Sequence, residues 1–146
     1  LAETVMVADQ FIDDGLILYE EDSSGRRINF NSKPGGAASD IPLAILVNQF
    51  SASGAEVLAG ALQDHNRGPI IGEQTFGKGS VTHFSELSDG SGIYITYARW
   101  FTPDGRLIED TGITPDIPSH IDQQIFEVLG DVQMSVAIAY LEELLH

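Results

Sequence analysis

A mixed α/β fold is predicted by three features of the sequence. Leu43-Ala-Ile-Leu-Val47 is a continuous apolar run of strand length, which suits a strand covered on both faces. A helical stretch from about Ser53 to His65 separates it from a second short apolar run, Pro69-Ile-Ile71. That order is the pattern of a β-α-β crossover. Asp89-Gly90 stands between two strand-like segments, Val81 to Leu87 and Ile93 to Trp100, and marks a hairpin.

The remaining elements follow in order. Leu1 to Asp14 reads as an amphipathic helix, with Val5, Ala8, Phe11 and Ile12 at helical spacing and Gly15 at its end. Leu16 to Glu20 is a short strand. Glu21 to Asp40 carries turn chemistry at Ser23-Ser24-Gly25 and Pro34-Gly35-Gly36, around one short strand near Ile28 to Phe30. Pro103-Asp104-Gly105 makes a second turn before Arg106-Leu-Ile108. Val132 to Leu145 is a C-terminal helix that places Met134, Ala137, Ile138, Leu141 and Leu145 on one face.

Length and composition narrow the function. The 146 residues are 42% hydrophobic and 20% charged, a globular rather than a disordered composition. No apolar run approaches the ~20 residues of a membrane-spanning helix. The absence of cysteine removes disulfides, thiolate metal sites and a cysteine nucleophile. Seven basic residues against 22 acidic ones give a net charge of −15. A nucleic-acid partner is disfavoured, because there is no basic surface to displace counterions.

The most unusual stretch is Phe50-Ser-Ala-Ser-Gly-Ala-Glu-Val-Leu-Ala-Gly60. Small residues gather where a buried strand hands over to a helix, and Ser53 sits at the helix start. Unsatisfied amides and the positive end of the helix dipole there favour a developing negative charge. A nucleophilic oxygen on a strand-to-helix turn is a recurring arrangement for acyl transfer. The same residues also read as a plain helix cap. Ser53-x-x-Glu56 is a capping box, and Ser51 is placed to do either job.

Lysine usage shifts that balance. The chain has two lysines, Lys33 and Lys78, and Lys78 lies between two glycines in Thr75-Phe-Gly-Lys-Gly-Ser80. A loop lysine that merely satisfies nearby acids is the bland reading. Chain geometry favours another. A helix from Ser53 to His65 runs about 18 Å at ~1.5 Å per residue, and a strand from Gly68 to Glu73 returns a similar distance at ~3.3 Å per residue. Lys78 therefore comes back to roughly the height of Ser53, beyond the carboxyl ends of the two strands, where such sheets place their sites. To act as a base the amine must lose its proton, against an unperturbed pKa of ~10.4. Burial lowers that value, and Phe76 with the flanking glycines is expected to supply an apolar pocket, opposed by Glu56 or Glu73. The Gly54 amide is a candidate oxyanion donor.

Ser51-Ala-Ser-Gly-Ala-Glu56, Ala59-Gly-Ala-Leu62, Gly72-Glu-Gln-Thr-Phe-Gly-Lys-Gly-Ser-Val81, Leu87-Ser-Asp-Gly90, Ala98-Arg-Trp-Phe-Thr-Pro103 and Gly112-Ile-Thr-Pro-Asp-Ile117 occur in that order. Together they resemble the carboxyl-terminal processing peptidases, also called tail-specific proteases. The resemblance implies a Clp-protease/crotonase-like α/β core with a β-α-β crossover in a mixed sheet. It also implies a serine-type endopeptidase that cleaves near the C-termini of proteins through a Ser-Lys dyad. By position in the motifs, Ser53 rather than Ser51 is the nucleophile, and Lys78, 25 residues later, is the general base. Gly54 gives one oxyanion amide, with Glu56 and Thr82 as supporting residues. Thr82 stands where related proteins often carry a glutamine that orients the lysine, and its side chain is shorter.

The family places a glycine-rich oxyanion loop just before a segment like Leu1–Ala8, and usually a PDZ domain further upstream. Neither is in this chain. Residues 1–146 are thus expected to be a single domain, the C-terminal portion of a peptidase core, poorly active alone. The implied partner is a protein or peptide with an unstructured C-terminal tail, and a homo-oligomer is left open. No cofactor or metal is expected, and the family suggests an exported, periplasmic or membrane-tethered parent. The alternative is a non-catalytic module on the same fold that holds a peptide or small apolar ligand; the joint presence of Ser53 and Lys78 favours the enzyme. His65, His83, His120 and His146 lack metal-type spacing, and the acidic clusters Asp13-Asp14, Glu20-Glu-Asp22 and Glu109-Asp110 lack the pattern of a calcium loop.

Overall fold

The computed structural model describes residues 1–120 and 122–146. Its strands form two sheets, and the parallel and antiparallel pairings are kept apart. In the first sheet β1 (Leu16–Asp22) is flanked by β2 (Arg27–Asn31) and β6 (Gly92–Phe101), and β6 pairs outward with β5 (Ser80–Glu86), all antiparallel. The second sheet is parallel. Here β3 (Ile45–Val47) pairs with β4 (Ile70–Gly72), which pairs with β7 (Ile117–Pro118).

The crossover predicted between the two apolar runs is present. Helix α2 (Gly54–Asp64) links β3 to β4, and Ile45, Leu46 and Val47 face Ile70, Ile71 and Gly72 in register. The hairpin is also as expected. Its turn is closed by Leu87 N–H to Ser91 O at 2.7 Å and by the Asp89 carboxylate, which accepts from the Ser91 amide and hydroxyl.

One hydrophobic core joins the layers. Ala8, Ile12, Ile17, Leu18, Val47, Val57, Ala61, Leu62, Ile70, Ile108 and Ile113 are buried together, so that α1 (Ala2–Ala8) and α2 pack against both sheets. The far end of the loop after α2 is tied by Arg67, whose guanidinium donates to the carbonyls of Phe11, Ala38 and Ile41.

Four elements differ from the sequence reading. The first helix ends at Ala8 rather than Asp14. The Asp9 carboxylate turns to the Lys33 amide, the Gln10 carbonyl to Ala38, and the Phe11 carbonyl to Arg67, so tertiary bonds replace helical ones; Ile12 is still buried. The C-terminal helix α4 (Val132–Leu144) does not bury the expected stripe. It meets β3 and β4, buries Ala137 and Gln133, and leaves Met134, Ile138 and Leu145 exposed. Helix α3 (Gln123–Leu129) and the two-residue β7 were not anticipated. Among the described residues no helix is long and apolar enough to cross a membrane.

Candidate active site

The site is built where β3 delivers the chain to α2. Ser53 is the N-cap of α2 and adopts φ 59°, ψ −119°, a backbone conformation that L-residues other than glycine rarely take. Such a geometry costs on the order of 1–3 kcal/mol and persists only where the surroundings hold it. Two hydrogen bonds do so here. The Ser53 N–H donates to Glu56 Oε2 at 2.8 Å, and the Ser53 carbonyl accepts from the Glu56 N–H at 2.9 Å. Both reciprocal contacts of a capping box are therefore present, the Ser53 side chain facing the Glu56 N–H and the Glu56 carboxylate accepting from the Ser53 N–H, although the hydroxyl's contact falls short of a full capping hydrogen bond. Ser51 is different. Its hydroxyl accepts from the Asn48 amide at 3.1 Å, which commits it to the turn after β3. Of the two serines, Ser53 is the one that stands at the helix start, in the strained backbone geometry.

Gly54 is the first residue of α2. Its N–H takes no part in the bonds that close the first turn, where Ala55 donates to Ala52 and both Glu56 and Val57 donate to Ser53. A Cβ at this position would stand 2.5 Å from Thr4 Oγ1, so glycine is what lets α1 lie against the helix start. The Gly54 amide, next in sequence to Ser53, is thus not used in closing the first turn of the helix.

Glu56 is 0% exposed, and four donors converge on its carboxylate. Thr75 Oγ1 and Gly77 N–H donate to Oε1, each at 2.6 Å; Lys78 N–H and Ser53 N–H donate to Oε2, each at 2.8 Å. Burying a carboxylate is costly unless its lone pairs are satisfied, and four donors satisfy them. The consequence is geometric. The Ser53 and Lys78 nitrogens share one oxygen, so they cannot be further apart than twice 2.8 Å. A helix start and a loop 25 residues later are pinned at one point.

The Lys78 loop is fixed from its other side as well. Gly79 N–H donates to Glu109 Oε2 at 2.6 Å, Asp110 N–H to the Gly77 carbonyl at 2.9 Å, and Trp100 N–H to the Gly79 carbonyl at 2.7 Å. Gly77 has φ 88°, and a Cβ on Gly79 would stand 2.5 Å from the Glu109 nitrogen, so both glycines are required by the close approach of residues 108–112. Phe76 N–H reaches the Ser51 carbonyl at 3.0 Å, a second tie between the two loops.

The side chain of Lys78 departs from the expectation of an apolar pocket. Lys78 is exposed, and Phe76, anchored by its backbone, is itself 66% exposed rather than part of an apolar pocket. Neither acid named as an opponent pairs with it: Glu56 is saturated by its four donors, and Glu73 pairs with His120. Thr82 is exposed at the start of the hairpin, beside a register shift between Val81 and Thr82. His65 is structural, its Nε2 against the Leu16 carbonyl at 2.8 Å, and His83 is exposed in mid-strand. Among the described residues no group of three or more metal-binding side chains gathers.

Two residues of the site were missed in the sequence. Thr75 both donates to Glu56 and accepts from Ile113 N–H at 2.7 Å, and Glu109 holds Gly79. Thr75 lies inside the motif that carries Lys78, three residues before it, and that proximity was the available signal.

Solved peptidases share this architecture. The photosystem II D1 C-terminal processing protease superposes with a TM-score of 0.77 at 40% identity, covering 89% of this chain and 35% of its own. The tricorn protease has the same fold at a TM-score of 0.68 and 17% identity, with 98% of this chain and 14% of its own covered. The fold is therefore that of a Clp-like peptidase core.

The chain belongs to peptidase family S41, which it matches over residues 1–119. It is 44% identical over 117 residues to carboxyl-terminal-processing peptidase 2, chloroplastic, of Arabidopsis thaliana, covering 80% of this chain and 23% of that protein. It is also 44% identical over 110 residues to the carboxyl-terminal-processing protease of Synechocystis, covering 75% and 26%. The chain thus spans about a quarter of the length of these relatives.

Proposed function

We propose that this chain carries the reacting pair of a serine-type endopeptidase that cleaves proteins near their C-termini. The observation that carries the reading is the shared oxygen of Glu56, which brings the backbones of Ser53 and Lys78 together at a strained helix start. Ser53 Oγ attacks the scissile carbonyl, and the Lys78 amine takes the hydroxyl proton and later returns it to the leaving amine. The Gly54 N–H supports the oxyanion of the tetrahedral intermediate. An amine accepts a proton only when uncharged, so substrate seated over the exposed Lys78 must exclude water from it. Thr82, four residues after Lys78 in the sequence, is the candidate to orient the amine. The names of the relatives support a substrate processed at its C-terminal tail, and those named chloroplastic support a parent that works outside the cytosol.

The test is a peptide with a free C-terminal tail, incubated with the full-length protein and with its Ser53→Ala and Lys78→Ala variants. Each variant is expected to lose about 10⁴-fold in kcat with its circular dichroism unchanged. Turnover equal to the parent's in both variants would overturn the dyad and favour the non-catalytic binding module.

A further inference from the structure

We propose that Glu56 is a positioning residue whose buried carboxylate sets the spacing between Ser53 and Lys78. This rests on the Ser-Lys reading above and gives a geometric role to a residue that touches neither substrate nor the reacting atoms.

A capping box needs from its glutamate one hydrogen bond, to the N-cap amide, and the residue is usually at the surface. Glu56 makes that bond and three others, from Thr75, Gly77 and Lys78, and is fully buried. The additional donors come from a single loop 19 to 22 residues further on, and that loop contains the candidate base. Helix capping explains none of them. Oε2 is the one atom that holds both partners of the dyad by their backbones, and it also holds the Ser53 amide in its left-handed geometry. Thr75 sets the other oxygen. Its hydroxyl donates to Oε1 while accepting from Ile113 N–H, which fixes the direction in which the carboxylate faces. Displacing reacting groups by about 1 Å can lower a rate by roughly 100-fold without weakening binding.

Glutamine fills the same space but cannot do the same work. Whichever way the amide is turned, its NH₂ meets donors where an oxygen stood. In the full-length protein Glu56→Gln is expected to lower kcat about 100-fold with KM within about threefold. Val57→Ala, on the buried neighbour in α2, is the control for lost stability: at a comparable fall in melting temperature its kcat should stay within about twofold of the parent's. Thr75→Val should lower kcat roughly tenfold, and Thr75→Ser, which keeps the hydroxyl, should restore it. If Glu56→Gln does not fold, the Thr75 pair decides.

A folded Glu56→Gln enzyme with parental kcat overturns the proposal, as does a Val57→Ala enzyme that loses as much kcat for the same loss of melting temperature. A Thr75→Val enzyme as fast as the parent also overturns it. Ser53→Ala and Lys78→Ala in the same assay separate the two ideas. Turnover retained in those variants defeats the dyad itself, whereas turnover lost there but kept in Glu56→Gln defeats only the positioning role.

Discussion

The start of α2 and the outer part of the β5–β6 hairpin show two uses of the same chain. Around Glu56, donors from Ser53, Thr75, Gly77 and Lys78 close on one carboxylate, with Val57 next in sequence, Ile70 and Ile71 in β4, and Ile113, bonded to Thr75, all buried. Along the hairpin, Phe84, Leu87, Ile93, Tyr94, Ile95 and Tyr97 are all exposed. Consecutive residues of a strand face opposite sides of its sheet, so from Ile93 to Ile95 both faces of the hairpin are uncovered within this chain. Apolar content alone does not locate the rigid part of the molecule. Closely approaching backbones and satisfied polar groups do.

Paired glycine substitutions probe that contrast with the largest expected effect. Gly72 has φ 135°, and a Cβ there would overlap the Val47 carbonyl across the β3–β4 pair. Gly72→Ala is expected to cost about 4 kcal/mol or to prevent folding. Gly90, at the hairpin turn, has φ 85° with open space around it, and Gly90→Ala should cost only about 1 kcal/mol. Thermal unfolding of the two full-length variants measures both. Equal losses would show the hairpin turn to be as constrained as the site.

Side-chain truncation sharpens the same contrast. Ile71 is fully buried in β4, and Ile71→Ala is expected to cost about 3 kcal/mol. Tyr94 is 73% exposed, with its ring 5.1 Å from the Phe84 ring between centroids. Tyr94→Ala should cost less than about 1 kcal/mol. A larger loss in chemical denaturation would mean that the hairpin is covered in the full-length protein.

The smallest effect concerns acid. At the β1–β2 turn the Ser24 hydroxyl, followed by the Arg26 backbone N–H, holds the Asp22 carboxyl down to about 2. A folded value below the ordinary ~3.9 means that the stabilisation is complete above about pH 4 and is lost as pH falls through about 2. An NMR titration should place the Asp22 midpoint near 2, and Ser24→Ala should move it upward. An ordinary midpoint in the parent would refute this turn geometry.

Most of the framework was legible in the residues because it is encoded locally. The apolar runs that became β3 and β4, the helix between them, and the Asp89-Gly90 turn each carry a short-range signature. The short helix Gln123–Leu129 and the two-residue β7 do not, since so few residues show no periodicity. The first helix was overestimated because the bonds that end it come from Lys33, Ala38 and Arg67, all distant in sequence. Ser53 and Lys78 stood out through their motifs. Glu56 was named as a supporting residue through its motif, but the way it acts was not legible, since a capping box accounts for it locally and the loop donors do not show in the pattern. The expected pocket around Lys78 failed for a related reason: an aromatic residue beside a lysine says nothing about which way the loop turns its ring.

The central claim is that Ser53, and no neighbouring hydroxyl, forms a covalent acyl intermediate with help from Lys78. Acid-quenched reaction of the full-length protein with a tail peptide, followed by mass spectrometric mapping, tests this most directly. An acyl ester on Ser53, absent in Ser53→Ala and strongly reduced in Lys78→Ala, is the predicted result. An ester on Ser51, or full acylation of Ser53 with Lys78 removed, would contradict it.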